Sequence, residues 1–185
     1  MLRRTILTTG AAAAAAVLMI AGPASAQLIN GTNGDDNLNG TNVRDTIHGK
    51  QGDDTIAGRG GPDLLHGELG NDVLLGGGDV ARDSLTGGPG ADELRGGPGA
   101  DFFSGGPGTD VIDGAGGPDI VETIDGNDHI TMGSGNDELS FLDVDGKRAF
   151  IDCGSGHDVV NYLGPIDQQD VISDNCEDVN ANTSD

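Results

Sequence analysis

Large apolar side chains recur singly, nine residues apart, along most of the chain. Leu38, Ile47, Ile56, Leu65 and Leu74 form one run. After a short slip, Leu85, Leu94, Phe103, Ile112, Val121, Ile130 and Leu139 form another. An aspartate stands two residues before each: Asp36, Asp45, Asp54, Asp63 and Asp72, then Asp83, Asp92, Asp101, Asp110, Asp119, Asp128 and Asp137. Most of these aspartates have a glycine two residues earlier. The D-x-U-x segment, with U the apolar residue, predicts a very short strand whose U side chain points inward and whose neighbours point out. The glycines between strands allow positive φ and turn carbonyls inward without a Cβ clash.

Three units are nearly ideal: Gly87 to Arg95, Gly96 to Ser104 and Gly105 to Asp113. They read G-G-x-G-x-D-x-U-x. This resembles the nonapeptide of the RTX ("repeats in toxin") hemolysin-type calcium-binding family. One such motif is weak evidence, but twelve units running from Gly31 to Ser140 are not a chance match. The resemblance implies an all-β fold, a right-handed parallel β-roll or β-solenoid with two repeats per turn. It also implies two columns of calcium loops. Asp36, Asp54, Asp72, Asp92, Asp110 and Asp128 belong to one; Asp45, Asp63, Asp83, Asp101, Asp119 and Asp137 belong to the other. Several Ca²⁺ ions would lie between successive loops, bound by carboxylates and carbonyls, the oxygen donors a hard cation prefers.

Some units depart from the pattern. Val43-Arg44 replace a glycine and a small residue, which predicts a poor site at Asp45. The unit from Gly76 to Thr86 has eleven residues, and its excess around Asp79-Val80-Ala81 is expected to bulge out. The unit starting at Thr123 keeps only Gly126 and Asp128 of the turn. Phe141 to Asp152 is degenerate; its Asp143-Val144-Asp145-Gly146 reads as a tight turn, because the other ligands of an EF-hand loop are missing. Asp152 to Val160 looks like a last turn, with Asp158 in the ligand position.

Composition sharpens this picture. The chain has 34 glycines, 3% aromatic residues and no tryptophan, so a conventional thick core is not expected. Net charge is −22, and Arg3 and Arg4 are the only charges in the first 26 residues, so the remainder carries −24. Such a chain resists compaction until cations neutralise it, and calcium binding is expected to drive folding. It has no basic footprint for nucleic acid.

Residues 1–26 read as a signal peptide: Arg3-Arg4, the apolar stretch Ala11 to Ile20, then Ala24-Ser25-Ala26 as a cleavage site. The apolar run is short for a membrane span, so no transmembrane anchor is expected. A secreted, extracellular monomer beginning at Gln27 follows. This departs from the many RTX toxins that leave by a C-terminal signal. The roll is expected over 27–152, last turns and a cap over 153–176, and a polar tail over 177–185. Cys153 and Cys176 are expected to form a disulfide in an oxidising compartment, resembling the endings of small secreted RTX-repeat proteins.

No catalytic constellation stands out. HExxH, GxSxG and Walker motifs are absent, and Ser155, His157 and Asp158 are merely adjacent in sequence. The chain therefore reads as a non-catalytic calcium-binding protein with a structural or binding role. A calcium-dependent adhesin is the alternative, with a surface or matrix partner that the sequence does not name; a hydrolase-associated module comes third. The outward row Asn37, Thr46, Thr55, Leu64, Val73, Ser84, Glu93, Phe102 is too irregular for an ice-binding face. His48 and His66 hold the same position one turn apart and are expected to stack about 4.8 Å apart on an outer face. With no third ligand evident, two solvated histidines are the simpler reading.

Overall fold

The computed structural model describes residues 17–18, 25–123, 127–141, 147–162 and 169–181. Most of the expected leader and the Asp143–Gly146 turn lie outside them. The described residues contain strands and turns and no helix.

The strands stack into two parallel sheets. One runs β1 (Val17–Leu18), β3 (Asn37–Asn39), β5 (Thr55–Arg59), β7 (Val73–Gly77), β9 (Glu93–Gly97), β11 (Val111–Ala115), β13 (His129–Thr131), β16 (Phe150–Asp152) and β19 (Val171–Ile172). The other runs β2 (Leu28–Asn30), β4 (Thr46–Gln51), β6 (Leu64–Leu69), β8 (Ser84–Thr86), β10 (Phe102–Ser104), β12 (Ile120–Thr123), β15 (Glu138–Phe141), β18 (Val159–Tyr162) and β20 (Asp178–Ala181). Strands β14 (Ser134–Gly135) and β17 (Ser155–Gly156) make a small third pairing. Each strand pairs with the one two units on, so two nonapeptides close one coil of a solenoid of about eight turns.

The nine-residue apolar period explains the core. In register, Ile47 lies over Leu65 and Ile112 over Leu94 and Ile130. Every U residue from Leu38 to Leu139 is buried, and their outward neighbours are not. A stripe one side chain wide therefore fills the space between the sheets, each turn covering the next. At the far end Met132, Ala149, Ile151, Val160 and Tyr162 continue it. Cys153 and Cys176 are joined as expected, with Cα atoms 5.2 Å apart. The bridge ties the end of β16 to the turn before β20. That strand, inside the segment read as a polar tail, pairs with β18. Strand β1, inside the expected leader, pairs with β3.

The second residue of the loops takes the left-handed conformation. Gly88, Gly97 and Gly106 have φ of 112°, 122° and 104° there, and Lys50, Arg59, Glu68 and Ala115 adopt it without being glycine, at 88°, 82°, 76° and 67°. A Cβ on Gly106 would run into the Gly88 carbonyl oxygen of the turn before. Gly106→Ala is expected to destabilise the calcium-loaded roll by at least about 1–2 kcal/mol, the cost of the left-handed backbone alone. Ala115→Gly is expected to be neutral or slightly stabilising. Thermal denaturation in saturating calcium checks the pair, and a Gly106→Ala protein as stable as the parent would contradict this loop geometry.

Candidate metal centre

The thirteen candidate aspartates stand in the loops just before strands, and all are buried, none more than 5% exposed. They form the two columns the register requires. In each column the aspartate Oδ1 accepts a hydrogen bond from the backbone N–H of the aspartate one turn earlier. Asp36 N–H donates to Asp54 (2.8 Å), Asp54 to Asp72 (2.8 Å), Asp92 to Asp110 (3.0 Å) and Asp110 to Asp128 (2.9 Å). In the other column Asp45 donates to Asp63 (2.7 Å), Asp101 to Asp119 (2.8 Å), Asp119 to Asp137 (2.7 Å) and Asp137 to Asp158 (2.9 Å). Asp63, Asp72 and Asp83 continue the same ladder. One carboxylate oxygen of each aspartate in these pairs thus fastens the coil beneath it, whereas Asp36 Oδ1, at the start of its column, is buried with no donor.

The second oxygen is different. Oδ2 of Asp54, Asp63, Asp72, Asp92, Asp101, Asp110, Asp119, Asp137 and Asp158 is buried with no hydrogen-bond donor. A buried anionic oxygen without a partner is costly, on the order of several kcal/mol for an uncompensated charge. Its surroundings are oxygen-rich. The place where a Cβ on Gly67 would sit is bordered by Asp72 Oδ2 and by the Gly87 carbonyl 2.7 Å away. The same arrangement holds at Gly58, between Asp63 Oδ2 and the Gly76 carbonyl (2.7 Å), and at Gly87, between Asp92 Oδ2 and the Gly105 carbonyl (2.7 Å). In these units the first glycine leaves room for its own aspartate.

Carboxylate and carbonyl oxygens, without nitrogen or sulfur, suit Ca²⁺. Among the described residues no three His, Cys, Asp or Glu side chains converge on one point. A cation between the loops would accordingly take most of its oxygens from the main chain.

Burial sets the protonation of the columns. It raises Asp54, Asp63 and Asp110 to about 7, Asp119 to about 8, and Asp83, Asp92 and Asp137 to about 6, against a usual 3.8. The N–H from the preceding turn opposes this, and carboxylates above and below reinforce it. A raised folded-state value means the metal-free roll binds protons more tightly than the unfolded chain. That stabilisation is fully present below pH about 4 and is lost as pH rises through 6–8. In calcium-free buffer, β signal and compaction are therefore expected to be greater at pH 5 than at pH 8. In calcium, protons compete, so the Ca²⁺ midpoint should rise as pH falls. Circular dichroism against pH checks both; a calcium-free chain less folded at pH 5 than at pH 8 would contradict the assignment.

The first two units differ from the rest. Asp36 Oδ2 accepts from Thr32 N–H (2.6 Å) and hydroxyl (2.9 Å), and Asp45 Oδ2 from the same two groups of Thr41, the hydroxyl at 2.9 Å. The protein satisfies these oxygens itself. At the other end Asp158 N–H donates to Glu177 Oε2 (2.9 Å) and Ala149 N–H to Asp170 Oδ1 (2.9 Å), so both columns end on acidic residues missed in the sequence. Their signal was present: Asp170-Val171-Ile172 and Glu177-Asp178-Val179 keep the acid two residues before an apolar side chain. The long loop does bulge: Val80 is 82% exposed, while Asp79 Oδ2 accepts from Gly61 N–H (2.9 Å).

No curated protein and no solved structure matches the chain. A family model does: the RTX calcium-binding nonapeptide repeat matches in four copies, at residues 30–64, 48–80, 86–121 and 104–139, more than half of the sequence. With its repeats, its parallel coils and its two carboxylate columns, the chain belongs to the RTX calcium-binding nonapeptide repeat family.

Proposed function

We propose that this is a secreted calcium-binding protein whose fold is completed by Ca²⁺ between stacked loops, serving a structural or binding role without catalysis. The row of buried, donor-less Oδ2 atoms carries the reading. Asp54, Asp63, Asp72, Asp83, Asp92, Asp101, Asp110, Asp119, Asp128, Asp137 and Asp158 would hold the ions together with loop carbonyls. Asp45, with both oxygens held by Gln27 and Thr41, acts as the N-terminal closure, and Asp36, whose Oδ2 is held by Thr32, keeps a buried Oδ1 without a donor. Calcium supplies charge neutralisation, and the chain's own residues supply the ladder that orders each coil on the last.

The leader-like residues 1–26, the roll from Gln27 and the disulfide-closed end support an extracellular site of action. Among the described residues no helix is long and apolar enough to cross a membrane. Extracellular calcium modules bind with constants of about 10⁻⁴–10⁻³ M, so the chain would stay extended in the cytosol and fold outside. The test is to recover the protein from culture medium and sequence its terminus. A chain beginning at Gln27, with β structure only in calcium and no turnover in broad hydrolase screens, is expected. An intact leader inside the cell, or turnover abolished by one substitution away from the calcium loops, would overturn the proposal.

A further inference from the structure

Two histidines stand apart from the calcium columns. His48 in β4 and His66 in β6 are register partners, on the outer side of the sheet whose inner side carries Ile47 and Leu65. Their rings stack with centroids 4.8 Å apart and planes 15° apart. Beside them, His48 Nδ1 lies 3.0 Å from Glu68 Oε1. Glu68 occupies a left-handed loop position that glycine takes in the regular repeats, and its side chain reaches across one turn to do this. Lys50, its register partner, is turned away and donates to the Gly31 carbonyl (2.6 Å).

This contact fixes chemistry at His48. A carboxylate beside Nδ1 holds the proton there and leaves the Nε2 lone pair free. A histidine that ligates a metal usually donates its other ring N–H in this way, commonly to a carboxylate. We propose that His48 and His66 form a second metal site, for a borderline divalent transition ion such as Cu²⁺ or Zn²⁺, with Glu68 as its positioning residue. Imidazole nitrogen suits these ions, whereas Ca²⁺ takes oxygen, so the two kinds of site sort cations by donor atom. Bonds of about 2.0–2.1 Å let one ion span two nitrogens up to about 4 Å apart. The rings are stacked with planes 15° apart, so both must turn out of the stack for their in-plane Nε2 lone pairs to converge on one ion, and their partial exposure leaves room for that. No third His, Cys, Asp or Glu converges here among the described residues, so water completes the coordination and the ion exchanges readily. The net charge of −22 favours cations around the protein as a whole.

Copper titration of the calcium-saturated protein, followed by electron paramagnetic resonance, tests this. One readily exchanging equivalent, bound ahead of any other and with coupling to two imidazole nitrogens, is expected. His66→Ala should remove the second nitrogen and weaken binding about 10–100-fold. Glu68→Gln should keep both nitrogens and weaken binding about tenfold, at the low end of the range for loss of a ligand's supporting carboxylate. Calcium-dependent circular dichroism should be unchanged in each variant. If His66→Ala fails to fold, His66→Gln keeps the bulk without the imidazole. Oxygen-only coordination, or binding unaltered by both His48→Ala and the His66 variant, would overturn the site and leave the calcium reading untouched.

Discussion

Stripped of calcium at neutral pH, the protein is expected to lose its β signal and expand to the dimensions of an unfolded chain. Its apolar core is a single stripe, with aromatic residues only 3% of the chain. Against that thin core stand two columns of carboxylates stacked turn upon turn, most with one oxygen buried and without a donor. Uncompensated buried charge costs on the order of several kcal/mol per group, so even a few such groups exceed the net stability of an ordinary domain. On the proposed ligation Ca²⁺ would remove this cost column by column, so that metal binding is also folding. Millimolar Ca²⁺ should restore the β spectrum and a small hydrodynamic radius. Na⁺ at equal ionic strength should not, because screening from outside does not reach a dry oxygen. A compact, β-rich chain in chelator at pH 8 would contradict this account.

Asp110→Ala is expected to be far more damaging than Asp45→Ala, although both aspartates hold the same place in their units. Asp110 is fully buried; its Oδ1 takes the Asp92 N–H and its Oδ2 has no donor. Alanine there orphans a buried N–H, at about 1–3 kcal/mol, and would remove a proposed calcium ligand in mid-column. Asp45 closes the first turn. Its Oδ1 takes the Gln27 N–H and its Oδ2 is held by Thr41. Alanine there loosens an end but takes no ligand from an ion. Calorimetric calcium titration should show lower stoichiometry and a several-fold higher midpoint for Asp110→Ala, and unchanged stoichiometry for Asp45→Ala. The reverse order would mean that the first turn holds calcium and the middle does not.

The periodic part of the fold was legible in the sequence. Asp every nine residues with an apolar partner two residues on gave the strands and the buried stripe; the resemblance to RTX repeats, with two units per turn, implied the two columns and the stacking of His48 on His66. Features that depend on one turn touching the next were harder to read. Val43-Arg44 pointed to a poor site at Asp45, but the direct contact is Thr41, whose N–H and hydroxyl occupy Oδ2. Nothing in local spacing says that a threonine four residues before an aspartate will reach back to it. Asp170 and Glu177 were hidden because the step between turns stretches from 18 residues to 21 and 19 there, and the glycine frame is gone. The eye follows glycine, whereas the ladder needs only an acid beside the N–H below. Lys50, Arg59, Glu68 and Ala115 in left-handed loop positions were equally silent, since a stacked coil imposes that conformation against local preference.

The central claim is that the inward oxygens of the aspartate columns are the calcium ligands. A crystal structure of the protein grown in calcium, with anomalous scattering from a lanthanide substituted for it, locates the ions directly. Peaks are predicted between successive loops, beside Oδ2 of the aspartates from Asp54 to Asp158, and none at Oδ2 of Asp36 or Asp45. Peaks confined to outward carboxylates such as Asp35, Asp53 and Glu138, with none between the loops of either column, would contradict it.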